Sequence, residues 1–371
     1  MSDPLAPALQ QRLSALGALL VNQEAARVLV PPARDAAGYW FGAGNAVRCP
    51  HTGDLLLIGR FRDAGDSRTG LAQGPRGRAL AVFRSSDDGA TFSPVLSWSK
   101  SDLAGDAAVL SIEGSALRLE LDHVQVLVSS EKERRYPPQV AAHQKPGTGV
   151  WSIDILSARC IGDLNPRRAL RPLLQSEDPA YLHRKDPRLA PGLGAGPPLL
   201  LYCAHPYSWA ASTSGYALLA DSGCLDQTPD FFPRGPAWDV AACRITCRLP
   251  VPAIGAWRGQ PPASLYFYDG AECLRPHAPH PQAASRRRGY SCEELGGLAW
   301  GWDHEFPRLH RLSRLAPAFV SPHGTGCSRY VSVLVEGDGS MLATWQQSAH
   351  SQAQPLVGHR VTAADVRSVL A

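Results

Sequence analysis

The sequence predicts an all-β fold, a five-bladed β-propeller with a short N-terminal helix, on three observations. A pattern of polar segment, apolar strand and turn recurs five times; helical periodicity is confined to the two ends; and 34 Gly and 32 Pro are spread through the 371 residues instead of gathering in one linker. Many short strands joined by turns require that spread of turn residues. The repeat is decisive because it fixes the architecture before any single element is assigned.

The elements follow in order. Leu9, Leu13, Leu16, Leu19 and Leu20 fall at helical spacing with Gln10, Gln11, Arg12 and Ser14 between them, which predicts an amphipathic helix and not the apolar run of a secretory leader. Residues 1–38 are read as this helix and its lead-in, and residues 39–371 as the propeller domain. The first copy runs Asn45–Arg48, Asp54–Arg60, Leu80–Arg84; the second Ile112–Ser115, Val124–Glu131, Gly149–Asp154; the third Lys185–Arg188, Pro198–Cys203, Tyr216–Ala220. The fourth is Ala242–Thr246, Ser264–Asp269, Gly297–Trp300, and the fifth Ser328–Val331 with Ser340–Trp345. In a propeller the first strand of each blade lines a central channel, so polar residues that would be misplaced in a sandwich core face a wet funnel. Helical spacing returns only at Thr362–Leu370.

One turn carries its own signature. Ser85-Ser86-Asp87-Asp88-Gly89-Ala90-Thr91-Phe92 matches the Asp-box pattern, in which Asp bonds back to the turn, Gly supplies positive φ and the aromatic packs between strands. Its role is to hold a hairpin, not to perform chemistry.

Composition excludes several classes. With 44% apolar and 19% charged residues the chain closes a core, and 37 Lys plus Arg against 33 Asp plus Glu leave a net +4 with no basic stripe for nucleic acid. Arg286-Arg287-Arg288 reads as a solvated loop. No window is long and apolar enough to span a membrane, so a soluble, cytoplasmic protein is expected. The nine cysteines are scattered; Cys243 and Cys247 share a strand face, but no second pair stands at ligand spacing, so reduced thiols are expected and neither metal nor cofactor is assigned.

Cleaving a glycosidic bond takes two carboxyl groups, one protonated as acid and one ionised as base or nucleophile. The channel strands offer Glu113 and Asp186, and the adjacent Glu293 and Glu294 precede an outer strand of the fourth copy; strand alternation lets only one face the funnel, and Glu294 is preferred. Around His183-Arg184-Lys185-Asp186-Pro187-Arg188, the flanking cations favour an ionised Asp186. Arg60, Arg62, Arg68, Arg188, Arg244 and Arg329 recur near the expected mouth, where guanidinium forks suit phosphate, a uronic or sialic acid, or a sulfated sugar. Asn45, Arg60, Asp66, Arg68, Lys185, Arg188, His205, Asp269 and Arg329 form the expected binding set. Trp40, Tyr207, Trp209, Tyr268 and Trp302 are the aromatic candidates for stacking on sugar rings, and His323 joins His205 as a polar candidate.

These residues resemble those of the sugar-active five-bladed propellers: arabinanases and β-xylosidases, invertase-like fructosidases, and mannoside phosphorylases. Lys185-Asp186-Pro187-Arg188-Leu189 is similar to the phosphorylase pattern Glu-Asp-Pro-Arg-Ile, with Lys for Glu. The resemblance implies an acid in the sugar site at Asp186, a transition-state stabiliser in the fructosidases and proton donor in the phosphorylases. Tyr290–Ala299 resembles the segment of the fourth-blade Glu that serves arabinanases and fructosidases as general acid. Gly44-Asn45-Ala46 with Arg60 looks like the phosphorylase first blade, and it departs from arabinanases and fructosidases, which carry a carboxylate there; Asp63 or Asp66 would have to replace it. The expectation is an enzyme that hydrolyses or phosphorolyses a glycosidic bond. The alternatives are a non-catalytic carbohydrate-binding propeller and a sialidase-like hydrolase, which requires three arginines converging with a Tyr/Glu pair.

Overall fold

A computed structural model describes residues 5–65, 74–220, 223–274 and 294–371. Asp66, Arg68, Glu293 and Arg286-Arg287-Arg288 lie outside the described residues.

The chain forms a five-bladed β-propeller. Strand β1 (Arg27–Val30) precedes the first blade, which comprises β2 (Trp40–Gly42), β3 (Ala46–Arg48), β4 (Leu55–Arg62), β5 (Gly77–Ser85) and β6 (Ser93–Ser99). The second holds β7 (Val109–Leu119), β8 (Val124–Lys132), β9 (Val150–Ala158) and β10 (Arg171–Leu174); the third β11 (His183–Ala190), β12 (Leu199–His205), β13 (Thr213–Ala220) and β14 (Gly223–Phe232). The fourth holds β15 (Ala242–Pro250), β16 (Ala263–Ala271), β17 (Leu295–Trp302) and β18 (His310–Arg311). In the fifth, β19 (Ser328–Val335), β20 (Met341–Gln347) and β21 (Leu356–Val361) are completed by β1, with Val28 opposite Val357. The segment 1–38 is therefore more than a lead-in: it supplies the outer strand that joins the two ends of the chain in one sheet.

Middle strands read as unbroken apolar runs, such as Leu55–Ile58 and Leu199–Leu201, because neighbouring blades cover both their faces. Leu56, Ile58, Leu80 and Val82 pack against Ile112, Val126 and Val128 across the first and second blades. Each such side chain withdrawn from water contributes roughly 1.5–3 kcal/mol. The N-terminal helix (Pro7–Leu20) buries Leu13, Leu16 and Leu20 against the C-terminal helix (Ala363–Leu370) and the fourth and fifth blades. Among the described residues no helix is long and apolar enough to cross a membrane.

The hairpin 85–92 is tied internally: Asp87 accepts from the Ser85 hydroxyl (2.6 Å) and the Thr91 amide (2.9 Å), and Asp88 and Gly89 take positive φ. The described cysteines, Cys243 and Cys247 among them, form no disulfide.

Four innermost strands share one irregularity. In β7, three residue steps from Ile112 to Ser115 face two from Ser130 to Val128; the same extra residue lies between Lys185 and Arg188 in β11, between Arg329 and Ser332 in β19 and, one step shorter, between Ile245 and Cys247 in β15. In the first blade the innermost strand breaks between β2 and β3. A bulge turns a side chain that would lie in the sheet's normal alternation toward the axis. By this register Glu113, Asp186 and Tyr330 occupy equivalent places in three blades. Ala43 (φ 59°), Asp186 (φ 55°) and Tyr330 (φ 59°) are left-handed there without being glycine, a conformation that costs about 1–3 kcal/mol and is retained where function or surrounding structure over-determines it.

Candidate active site

Four carboxylates and six cationic side chains meet at the axis, on the face bearing the loops after β4, β8, β12, β16 and β20, with Glu113 and Asp186 presented by bulges. Arg244, from β15, is the hub. Its Nη1 donates to Asp186 Oδ2 (2.8 Å), its Nε and Nη2 to Asp269 Oδ2 (3.1 and 2.7 Å), and its Nη2 lies 3.0 Å from Glu294 Oε1. One guanidinium thus joins three carboxylates, and its span keeps Asp186 and Glu294 close enough to act on one bound sugar.

Asp186 is fixed from several sides. The Gly114 amide donates to its Oδ1 (2.9 Å), the Tyr330 hydroxyl to its Oδ2 (3.4 Å), and Lys185 Nζ stands 3.6 Å away. Burial alone would raise its proton affinity, but Lys185, Arg244 and Arg60 overcome this and hold the carboxyl well below the usual range. Glu113 accepts from Ser111 (2.9 Å) and meets Arg60 (3.3 Å) and Arg62 (3.5 Å). Burial opposes its ionisation, yet Arg60, Lys185 and Arg62 bring it down to about 2.

Glu294 precedes β17 and is the most open of the four, with 19% of its side chain exposed against 1% for Asp186. Arg244 and Arg329 outweigh burial and hold it low; Arg329 also reaches Gln346 (3.2 Å) and Gln354 (2.9 Å). Asp269 behaves differently. Burial pushes it up to about 6 against the pull of Arg244. Its two oxygens are nevertheless taken by Arg244 and the Tyr330 amide (3.0 and 3.1 Å), so it orients Arg244.

Aromatic rings frame the ring of charges. Tyr330 lies among four guanidinium groups: Arg244 at 4.1 Å, Arg329 at 5.1 Å, Arg188 at 5.4 Å and Arg60 at 5.6 Å from the ring centroid. The half-buried Trp40 carries Arg62 (4.8 Å) and Arg329 (4.4 Å). On the opposite wall Trp209 stacks on His205 (4.1 Å), touches Trp151 (4.6 Å) edge-on and receives Lys185 Nζ at 5.1 Å. A cleft of about 370 Å³ between Arg134, Tyr136, Val150 and Leu182 opens beside this wall, but none of the four carboxylates lines it.

Of the residues expected from sequence, Glu113, Asp186, Glu294, Arg60, Lys185, Arg188, Asp269 and Arg329 come together at the axis, and His205 borders them behind Trp209. Asn45 does not join them: its amide is engaged in both directions by the Leu117 backbone (2.9 and 2.8 Å) and ties the first blade to the second. Asp63 is held by Arg78 (3.1 Å) away from the ring, so among the described residues the first blade contributes guanidinium groups and no carboxylate. Tyr268 is buried on Trp238 and takes no part. Sequence reading missed Tyr330; aligning the fifth copy with the second and third by their bulges places it opposite Glu113 and Asp186.

No protein-family model and no curated protein matches the chain. Solved structures do. A glycoside hydrolase aligns over 97% of this chain and 96% of its own with a TM-score of 0.63 at 11% identity. An α-L-arabinofuranosidase from Lactobacillus brevis aligns over 92% and 94% (TM-score 0.58, 9% identity), and the β-1,2-mannobiose phosphorylase of Listeria innocua, in complex with β-1,2-mannobiose, over 92% and 96% (TM-score 0.54, 11% identity). At such identities the likeness establishes the fold, the five-bladed propeller that those carbohydrate-active proteins share.

Proposed function

We propose that this protein is a glycosidase-type enzyme that cleaves a glycosidic bond at the funnel, by hydrolysis or phosphorolysis, and that its substrate or co-substrate carries an anionic group. The observation that carries the reading is Arg244 bridging Asp186 and Glu294 in a ring where Arg60, Arg62, Lys185, Arg188, Arg244 and Arg329 outnumber Glu113, Asp186, Asp269 and Glu294. Buried cations in excess of carboxylates require an anion to complete them. Arg62 and Arg329, which share the Trp40 ring at the half-open edge, are the pair assigned to that anion.

The roles follow from the environments. Asp186, sealed among cations, stays ionised and opposes the positive charge that develops on the sugar ring. Glu294 is ionised while Arg329 pairs with it; an anionic group that engages Arg329 removes this stabilisation, and the raised proton affinity lets Glu294 protonate the leaving oxygen. Phosphate, already anionic, then attacks the anomeric carbon directly; water attacks with transfer of its proton to Glu294, ionised again once the leaving group has taken its proton. Among the described residues the first blade gives the ring arginines and no carboxylate, with Asn45 where the resemblance puts the carboxylate of arabinanases and fructosidases, which favours an anionic acceptor or sugar over a first-blade nucleophile.

The test is a panel of aryl glycosides and aryl uronides assayed with and without inorganic phosphate. Turnover of neutral glycosides only with phosphate assigns phosphorolysis, and turnover of uronides without it assigns a charged sugar. No turnover of any substrate, together with sugar binding unchanged by Asp186→Asn, would overturn the enzyme reading in favour of a binding propeller. A sialidase-type mechanism is the second reading, favoured by the four guanidinium groups around Tyr330. There Tyr330→Phe would abolish turnover, whereas the first reading expects only a modest loss.

A further inference from the structure

Two cations of the ring, Arg188 and Arg60, are sealed and keep donor atoms that none of the proposed roles engages. Arg188 is 3% exposed and has no carboxylate within ion-pair distance among the described residues. Its Nη1 donates to three backbone carbonyls, of Ser115 (2.7 Å), Pro187 (2.9 Å) and Ala43 (3.2 Å), while Nε and Nη2 have no acceptor. Arg60, 1% exposed, makes one contact with Glu113 through Nη2, and its Nε and Nη1 likewise have no acceptor. The Ser115 hydroxyl is buried and unpartnered too. Ser115 supplies the nearest carbonyl to Arg188, and Arg60 and Arg188 both lie against the Tyr330 ring, 5.6 and 5.4 Å from its centroid.

Buried donors are almost always satisfied, and Arg188 feels Asp186 and Asp269 only from beyond ion-pair distance, a costly arrangement for a buried guanidinium. Water would accept the hydrogen bonds but would leave Arg188 with no anion in direct contact. We propose that the propeller axis holds a small monovalent anion of the halide class, chloride in solution, bound by Arg188, Arg60 and the Ser115 hydroxyl beside Tyr330. The sealing of all three residues selects a small ion over phosphate or a sugar carboxylate, which the half-open edge at Arg62 and Arg329 accommodates. The anion joins the first, second and third blades at the axis. It also offsets part of the positive field that keeps Asp186 ionised.

The inference is independent of the sugar chemistry, because its test reads stability and scattering. Protein refolded from urea in sodium gluconate and then titrated with sodium chloride at constant ionic strength should show a rise in Tm of about 2 °C or more, growing with the logarithm of chloride. Ser115→Ala should weaken that response several-fold, and Arg188→Met should flatten it. Crystals grown in bromide should give an anomalous peak in contact with Arg188 and Arg60. The peak is read on the wild-type chain, so it stands even if Arg188→Met does not fold. Equal Tm in chloride and gluconate, no anomalous peak, or a peak only beside Arg62 and Arg329 would each overturn the proposal.

Discussion

Glu113 and Asp186 occupy equivalent places in adjacent blades, each at the extra residue of a bulge in the innermost strand, and the amide that follows Glu113 donates to Asp186 at 2.9 Å. The second blade therefore both presents a carboxylate and positions the one beside it. A Cβ added at Gly114 would lie 2.6 Å from Asp186 Oδ1 and 3.0 Å from its Cα. Gly114→Ala is expected to lower kcat about 100-fold by displacing Asp186, since misplacement of about 1 Å has that effect. Steady-state kinetics alongside thermal unfolding separates the two effects: a large loss of Tm with kcat unchanged would contradict a positioning role.

Removing the hub should be more damaging than removing any one of its partners. Arg244→Met leaves Asp186, Asp269 and Glu294 without their shared cation and is expected to destabilise the fold by about 3–5 kcal/mol, the usual cost of breaking a buried ion pair from one side. Arg244→Lys keeps the charge but lacks the fork that spans three carboxylates. Urea unfolding of the two variants should rank Met below Lys, with both below the wild type in activity.

Conservative changes at the acids should spare the fold and remove turnover. Asp186→Asn and Glu294→Gln are each expected to reduce kcat/KM by about 100-fold or more, the scale of a positioned acid or base. Glu294→Gln should be rescued in part by substrates whose leaving group needs no proton, and Asp186→Asn should not. The comparison of activated and unactivated aryl leaving groups provides that readout.

Acid should unfold the protein early. Ionised Glu113, brought down to about 2 from an ordinary 4.5, contributes stability that is full above pH 4.5 and is lost as pH falls toward 2. His183 is lowered from 6.5 to about 3 by burial and by Lys185, and its Nδ1 accepts the Trp151 amide (3.4 Å). The unfolded chain therefore takes up the His183 proton first, and this contribution is lost as pH falls from 6.5 toward 3. Asp269, pushed up to about 6, acts in the opposite sense between pH 6 and 3.8, so the net fall should be steepest below about pH 4. Urea midpoints at pH 7, 5 and 3.5 test the profile, and His183→Gln should reduce its slope above pH 4.

Trp40 holds Arg62 and Arg329 at the half-open edge, so Trp40→Ala is expected to raise KM for the anionic partner about tenfold with little change in kcat, the signature of lost ground-state binding. Phosphate titration, or titration of a uronide, measures this. A fall in kcat with KM unchanged would move the anion site elsewhere.

The sequence alone determined the blades. Strand alternation, turn residues and apolar middle strands are local patterns, and five copies of them admit few architectures; the carboxylates Glu113, Asp186 and Glu294 were visible for the same reason, at polar ends of apolar strands. The tertiary structure decided where those side chains point. Arg244 meets Asp186 and Asp269 from two other strands and Glu294 from a loop, and Asp186 reaches it through a bulge whose one-residue offset redirects the side chain without any change in composition. Asn45 shows the converse, a polar residue at the expected place whose amide the Leu117 backbone captures. Closure of the fifth blade by Arg27–Val30 was equally hidden, because its partner strand lies at the other end of the chain and pairing across that distance leaves no mark on local periodicity.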